Sequence, residues 1–465
     1  MPPSHPPSPP PPKSSTNPTT SPMARSPKPS LLSDAIVFAT GAFVALLLFL
    51  SFSSFLSPAT LTPPATLLSS PQSQSQSQSQ SQSQSQSHLL LDVDLDPPTQ
   101  SFYDDPSLSY SIDHPISNWD EKRLQWLNLH PFSSSTHERV LMVSGSQPAP
   151  CKNPVGDHLL LRFLKNKLDY SRLHNLDLFY NTALLHPSMP TFWAKIPILR
   201  AAMLAHPEAD WIWWVDSDAA FTDMDFSLPL HRYKSHNLVV HGWPELVYEA
   251  KSWVSLNAGV FLIRNCQWSL DFMDTWAAMG PNSPNYDSWG KTLKSTFKDK
   301  VFPESDDQSA LVYLLLTGKD KWADKIYLEN NYYFEGYWVE IVGRLDNITA
   351  RYEQMERTAP KDLRRRHAEK VTAKYAEARN ERLAEEGMAV SGPAGWRRPF
   401  VTHFTGCQPC SGDHNKMYSG ENCYEGMTRA LDLADDQVLR AYGFRHHRLG
   451  SSDVTPLPFD FPAAH

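Results

Sequence analysis

Apolar positions along this chain form one long unbroken run and a series of short ones. Residues Ala35–Leu56 carry no charge and are apolar apart from Thr40, Gly41, Ser51, Ser53 and Ser54. A helix needs about 20 apolar residues to cross a bilayer, so this run predicts a membrane anchor. A cleaved signal peptide fits less well, because its apolar core spans about 7–15 residues and no long tail precedes it. The short runs begin near Trp119. Val140–Val143 reads as a strand ending in the turn Ser144-Gly145-Ser146, and Asp177–Tyr180 as a second strand. Val155–Tyr170 has helical character, and Trp193–Leu204 reads as a helix with Ala194, Ile198, Ala201 and Ala202 on its apolar face. Asp210–Val215 is continuously apolar after its first residue and rich in aromatic side chains, the signature of a fully buried strand in a parallel sheet. A later strand surrounds Leu262–Ile263, and Asp306–Leu316 reads as a helix. Strands alternating with helices predict an α/β, Rossmann-like, doubly wound core. Lys361–Glu386 breaks the pattern: charge dominates, with a sparse seam at Leu363, Val371, Tyr375 and Ala378, so an exposed helix or hairpin is expected. Within it Arg364–Arg366 reads as a solvated face, with an anionic partner as the alternative.

Composition divides what surrounds these elements. Residues 1–34 are dominated by Pro and Ser and read as a disordered tail; residues 57–118 read as a low-complexity stem containing the Gln-Ser repeat Gln72–Ser87; residues 119–465 form the globular part. Charge then sets orientation. Lys13, Arg25 and Lys28 precede the apolar run, and no Lys or Arg follows it until Lys122. The positive-inside rule places the tail in the cytosol and the globular part in a lumen, as in a single-pass type II protein. A net charge of −8 offers no general basic surface, so a nucleic-acid partner is not expected. The five cysteines, Cys151, Cys266, Cys407, Cys410 and Cys423, all fall in the lumenal part, where disulfides form, and their odd number leaves at least one unpaired within the chain. Cys407 and Cys410 have the spacing of a redox or zinc pair, but no second pair and no redox-type βαβ context accompany them. Asn347-Ile-Thr349 fits the glycosylation sequon.

The chemistry concentrates where the buried run ends. Asp216-Ser217-Asp218 directly follows it. Ligands of open α/β sheets sit beyond the carboxyl ends of strands. Two carboxylates spaced i, i+2 can project to one side and offer hard oxygen ligands to Mg²⁺ or Mn²⁺. Such a cation bridges and neutralises a diphosphate leaving group. The plainer alternative is a turn pair. A third ligand is expected from elsewhere: His403 lies between an apolar stretch and Gly406, and an imidazole beside two carboxylates shifts preference towards Mn²⁺. Asp306-Asp307-Gln308 opens an apolar helix and reads either as polar groups near a reacting centre or as a helix cap. Asn257 with Gly259 reads either as an amide beside a close backbone approach or as a turn.

These pieces occur in a recognisable order. Asn153-Pro-Val-Gly-Asp157, Phe192-Trp-Ala-Lys195, Trp213-Trp-Val-Asp-Ser-Asp218, Phe221-Thr-Asp-Met224, His241-Gly-Trp243, Gln267-Trp268, Met279-Gly-Pro281, Asp306-Asp-Gln-Ser309, Gly336-Tyr-Trp338, Thr402-His-Phe404 and Gly406-Cys407 run from the first short strand to near the C-terminus. With them the chain resembles plant glycosyltransferase family 34, which holds xyloglucan α-1,6-xylosyltransferases and galactomannan α-1,6-galactosyltransferases. The resemblance implies a GT-A fold, a UDP-sugar donor, a polysaccharide acceptor, a divalent metal and retention at the anomeric carbon, in a Golgi membrane protein. It implies Asp216, Asp218 and His403 as Mn²⁺ ligands. Ser144, Gly145, Ser146 and Lys195 are implied as nucleotide contacts, with Ser217, Asn257 and Gly259 on the donor side. Asp306, Asp307 and Gln308 are implied around the reacting centre. A homodimer or a complex with wall-polymer synthases is implied by the family alone.

Two positions depart from the xylosyltransferase branch. Gln408 stands where those enzymes carry Lys, and Glu335 where they carry His. Tyr332-Tyr-Phe-Glu-Gly-Tyr-Trp338, the charged segment around Arg364–Lys374 and the Thr402–Cys410 string look more like the galactomannan branch. The resulting expectation is transfer of galactose to a β-1,4-mannan. A xylosyltransferase acting on β-1,4-glucan is the nearest rival, and a non-catalytic scaffold subunit is a rival of another class.

Overall fold

The computed structural model describes residues 102–459, apart from 134–136, 361–362, 364–367 and 390–394. The expected tail, the anchor at 35–56, most of the stem and the Arg364–Arg366 run lie outside the described residues. No helix among the described residues is long and apolar enough to cross a membrane. Folded structure among the described residues extends to the N-terminal side of residue 119. Ile112 and Ile116 are buried, Tyr103 donates to the Leu204 carbonyl, and Gln267 donates to the Ile116 carbonyl at 2.7 Å. Residues 102–118 therefore belong to the folded unit. Their few apolar side chains are spaced too irregularly for periodicity to reveal this.

The central sheet is six-stranded. Its members are β1 (Val140–Gly145), β2 (Asp177–Asn181), β3 (Trp211–Val215), β5 (Leu238–Gly242), β6 (Leu256–Arg264) and β7 (Ile326–Glu329), in the order β2-β1-β3-β6-β5-β7. β1 runs parallel to β2 and β3, whereas β6 runs antiparallel to both β3 and β5. The sheet is thus mixed rather than wholly parallel as expected. A strand covered on both faces reads as a continuous apolar run whichever way its neighbour points. All of β3 is buried: Trp211, Trp213 and Val215 join one apolar cluster, and Ile212 and Trp214 the cluster on the other face. Burying each large apolar side chain contributes about 1.5–3 kcal/mol, so this strand is pinned from both sides.

Two further features position the site. β4 (Ala219–Phe221) leaves the acidic loop and pairs antiparallel with β8 (Val401–His403), in the register Ala219 opposite His403 and Phe221 opposite Val401. The second is the long helix α1 (Pro154–His174), which begins with Pro154 at its first turn, capped by Asn153, whose side chain accepts from Val155 N at 3.2 Å. Leu159, Phe163 and Tyr170 form its buried stripe, which also contains Asn166 and Lys167. The helix α2 (Lys195–Ala205) follows a 3₁₀ turn at Thr191–Ala194, close to expectation. The helix α3 (Asp307–Thr317) begins one residue later than expected, because Asp306 is its cap. The charged segment contains α4 (Thr372–Glu385), and Arg379 on it clamps Asp225 through two bonds of 2.8 and 2.7 Å.

Cys151 is bonded to Cys410 and Cys407 to Cys423, leaving Cys266 free. The two cysteines with redox or zinc spacing therefore bond to separate partners. Their loop packs on the start of α1, where a Cβ on Gly156 would meet Pro409 O at 2.6 Å. Asn347 lies on the exposed side of a helix spanning Leu345–Thr358, and Thr349 donates to the Leu345 carbonyl.

Candidate active site

The acidic loop leaves β3 at its carboxyl end, the end at which β1 also stops. Asp216 N donates to Gly259 O at 2.8 Å, which holds the loop against β6. Asp218 precedes β4, and the β4–β8 pairing carries His403 to its side across 185 positions of sequence. Asp216, Asp218 and His403 each offer one ligand atom, all lying within 4.8 Å of one another. His403 Nε2 is 3.3 Å from Asp218 Oδ1 and 3.8 Å from Asp216 Oδ2. The space between them exists because residue 259 is glycine: a Cβ there would lie 2.3 Å from His403 Cε1 and 2.6 Å from Asp216 Oδ2. Gly259 is inside β6, not in a turn, and Asn257 Oδ1 accepts its N–H at 2.7 Å. Two carboxylates and an imidazole around a glycine-made gap fit a divalent cation.

Charge in the site is finely opposed. Burial disfavours a charged His403, but the carboxylates of Asp218 and Glu335 outweigh it and hold the imidazole up at about 10. Burial likewise opposes ionisation of Asp218, yet His403 keeps that carboxyl below its ordinary value. Lys195 is buried, and its Nζ reaches Asp307 Oδ2 at 2.7 Å, Ala258 O at 2.8 Å and Asp216 Oδ1 at 3.4 Å. An ammonium has three donors, and here all three have protein partners. Lys195 thus bridges Asp216 and Asp307. Burial pushes the Asp307 carboxyl up to about 6 against the pull of Lys195.

The triplet Asp306-Asp307-Gln308 divides. Asp306 Oδ1 caps α3 by accepting from Ser309 N at 2.9 Å, while Oδ2 accepts from the buried Lys300 and from the Ser309 hydroxyl. Its oxygens are engaged in a cap and an ion pair, the helix-cap alternative that the sequence also allowed. Asp307 faces Lys195 and the metal set. Gln308 accepts from Ala258 N at 3.3 Å and donates to Trp253 O at 3.1 Å, so it braces β6. On the other side, Ser144 is wholly buried with its hydroxyl unpartnered, and a Cβ on Gly145 would lie 2.5 Å from Asn181 O. Ser146 N donates to the same carbonyl at 3.0 Å. Burial raises the Tyr180 phenol, Ser146 hydrogen-bonds it and Asp218 adds to the rise, so this ring links the β1 turn with the acidic loop. The Ser217 carbonyl accepts from Lys167 at 3.3 Å.

Two participants, Lys167 and Asn166, are absent from the sequence reading. Lys167 is wholly buried behind the acidic loop and donates to Ala219 O at 2.8 Å; burial lowers it to about 7, while Asp218 and Asp216 oppose the fall. Asn166 clamps Phe221 through both backbone groups, at 2.9 and 2.7 Å. Two polar residues on the apolar stripe of α1 were the available signal. His241 is buried one strand away, paired with Asn257 in register, with Nδ1 unpartnered and its ring 4.7 Å edge-on from the half-exposed Trp243. Glu335 hydrogen-bonds His403 Nδ1 at 3.1 Å. Gln408 has an exposed side chain, and its backbone closes the Cys407–Cys410 loop by bonding Asp413 O at 2.8 Å.

Similarity to other proteins agrees with this arrangement. The profile of the galactosyl transferase GMA12/MNN10 family matches residues 136–414, which include every metal-set residue. The chain is 61% identical over 432 residues to probable glycosyltransferase 7 of Oryza sativa subsp. indica, covering 93% of this chain and 92% of that one. It is 54% identical over 448 residues to galactomannan galactosyltransferase 1 of Cyamopsis tetragonoloba, covering 95% and 99% respectively. Identity to probable xyloglucan 6-xylosyltransferase 1 of Oryza sativa subsp. indica is 46% over 351 residues, covering 74% and 69%.

Proposed function

Because this chain belongs to the galactosyl transferase GMA12/MNN10 family and is a glycosyltransferase, we propose that it transfers galactose from UDP-galactose, with retention, in α-1,6 linkage to a β-1,4-mannan. The observation that carries the metal-dependent part is the convergence of Asp216, Asp218 and His403 around Gly259. The donor and acceptor rest on the wider and higher identity to the galactomannan enzyme than to the xylosyltransferase. The apolar run Ala35–Leu56 and the basic residues before it support a single-pass Golgi anchor with this unit in the lumen. A GT-A type nucleotide-sugar site at the carboxyl ends of β1 and β3 completes the reading.

In this reading Asp216 and Asp218 would hold a divalent cation through carboxylate oxygens and His403 through Nε2, and the bound cation would supply charge neutralisation for the leaving diphosphate. Asp307 stands beside this set on Lys195, placed to stabilise positive charge developing on the sugar. Gln308 fixes the backbone of β6 rather than donating directly. The acceptor hydroxyl attacks from the face the diphosphate leaves, and the leaving phosphate takes its proton, so no carboxylate need form a covalent glycosyl bond. Positioning and charge stabilisation then supply most of the barrier lowering.

The test offers the full chain UDP-galactose or UDP-xylose with Mn²⁺ against manno- and cello-oligosaccharides, and follows UDP release. The expected result is turnover with UDP-galactose and manno-oligosaccharides. Turnover confined to UDP-xylose and cello-oligosaccharides would move the protein to the xylosyltransferase branch. A folded, Mn²⁺-binding protein inert in all four combinations would favour a scaffold role.

A further inference from the structure

His403 can serve as a metal ligand only if its Nε2 lone pair is free, and that depends on what its other nitrogen does. In a neutral imidazole one nitrogen donates and the other accepts, and the partner of one fixes the role of the other. Two groups lie beside Nδ1: Glu335 Oε1 and the Thr405 hydroxyl, each at 3.1 Å. A hydroxyl can donate or accept, so Thr405 alone leaves the tautomer open. An ionised carboxylate only accepts, so Glu335 requires a proton on Nδ1 and thereby clears Nε2 on the side of Asp216 and Asp218.

The fold places this carboxylate deliberately. Residues 333–337 run alongside β8, with Val401 N donating to Tyr333 O at 3.1 Å and His403 N to Gly336 O at 2.8 Å. Glu335 is 4% exposed, and His403 is its hydrogen-bond partner among the described residues. A carboxylate buried this far is strongly destabilising unless a donor compensates it. The donor it has is an imidazole that faces a metal set on its other side. No element of the transfer chemistry outlined above uses Glu335.

We propose that Glu335 is the positioning residue of the metal site: it locks His403 in the tautomer and ring orientation that present Nε2 to the cation, and so sets the affinity of the site. This rests on the metal-dependent reading above. Carboxylate partners of metal-bound imidazoles raise ligand basicity, and their removal weakens metal binding by about 10- to 100-fold.

The test titrates Mn²⁺ into the full-length, detergent-solubilised chain and follows free Mn²⁺ by electron paramagnetic resonance. E335A is expected to weaken binding by about 10- to 100-fold. E335Q keeps the size but can present either amide face, so a smaller loss is expected, and it carries the test if E335A does not fold. Thr405→Val is expected to bind within about threefold of wild type, since its hydroxyl does not fix the tautomer. Saturating Mn²⁺ is expected to restore the turnover of E335Q. Wild type that binds Mn²⁺ while both Glu335 variants bind equally well overturns this inference alone. Turnover that saturating Mn²⁺ does not restore also overturns it. Wild type that binds no Mn²⁺ overturns it together with the metal reading.

Discussion

The acidic loop at the end of β3 and the acidic triplet at the start of α3 each offer two aspartates within three positions, and the fold treats them in opposite ways. Asp216 and Asp218 face an imidazole across a gap that a methyl group on Gly259 would fill. Asp306 is consumed by a helix cap and a buried lysine, and Asp307 is held by a second buried lysine. A carboxylate is free to act as a ligand where one oxygen is left facing a gap, as Asp216 Oδ2 is while its Oδ1 accepts from Trp214 Nε1 at 2.5 Å. It becomes a structural or electrostatic element where donors engage it from all sides, as at Asp306. Residue type and spacing do not distinguish the two cases. The surrounding donors do.

Substitutions can break this comparison, and the largest effect is expected at the loop. Asp218→Asn should lower kcat by about 10³-fold, because it removes an anionic ligand while preserving shape. Gly259→Ala should approach the same loss, since its Cβ would enter the gap. Turnover of either variant near wild type would dissolve the distinction between loop and triplet. Within the triplet, Asp307→Asn should lower kcat by about 10²-fold with Mn²⁺ affinity retained. Asp306→Ala should instead cost about 3–5 kcal/mol of stability by leaving Lys300 buried without its partner, with kcat of the folded fraction retained. Equal kcat losses in the two variants would show that the triplet acts as a unit.

A smaller effect concerns pH. In the metal-free protein His403 is raised from 6.5 to about 10, so its protonated form binds its neighbours more strongly in the folded than in the unfolded chain. That stabilisation is fully present below about pH 6.5 and is lost as pH rises through about 10. The metal-free melting temperature should therefore fall across this window more steeply in wild type than in His403→Gln. Metal must displace the same proton, so Mn²⁺ affinity should rise with pH over the same range. The smallest effect is expected at Gln408, whose side chain is exposed: Gln408→Lys should change the melting temperature by less than about 2 °C.

What the sequence could and could not reveal follows from how far each constraint reaches. The acidic loop was legible because a buried strand and its carboxyl end are local features: five consecutive buried residues lead directly into Asp216. The direction of β6 was not, since burial on both faces erases the alternation that would separate one environment from another. His403 was legible only as a lone candidate between an apolar stretch and Gly406, because its place beside the aspartates depends on a β4–β8 pairing between distant segments. Lys167 and Asn166 were visible as polar residues on an apolar helical stripe, but their partners are backbone atoms of another element. Asp306 and Asp307 could not be told apart, because aspartate suits a cap and a reacting centre equally. Cys151 finds Cys410 across 259 positions, a pairing that spacing does not encode.

The central claim is that Asp216, Asp218 and His403 hold one divalent cation. Pulsed electron paramagnetic resonance of the Mn²⁺-loaded full chain tests it directly, because a nitrogen ligand couples to the electron spin. The account predicts one bound Mn²⁺ per chain with a single directly coordinated nitrogen, a coupling that disappears in His403→Ala. Mn²⁺ bound without nitrogen coupling, or a coupling that survives that substitution, would contradict it.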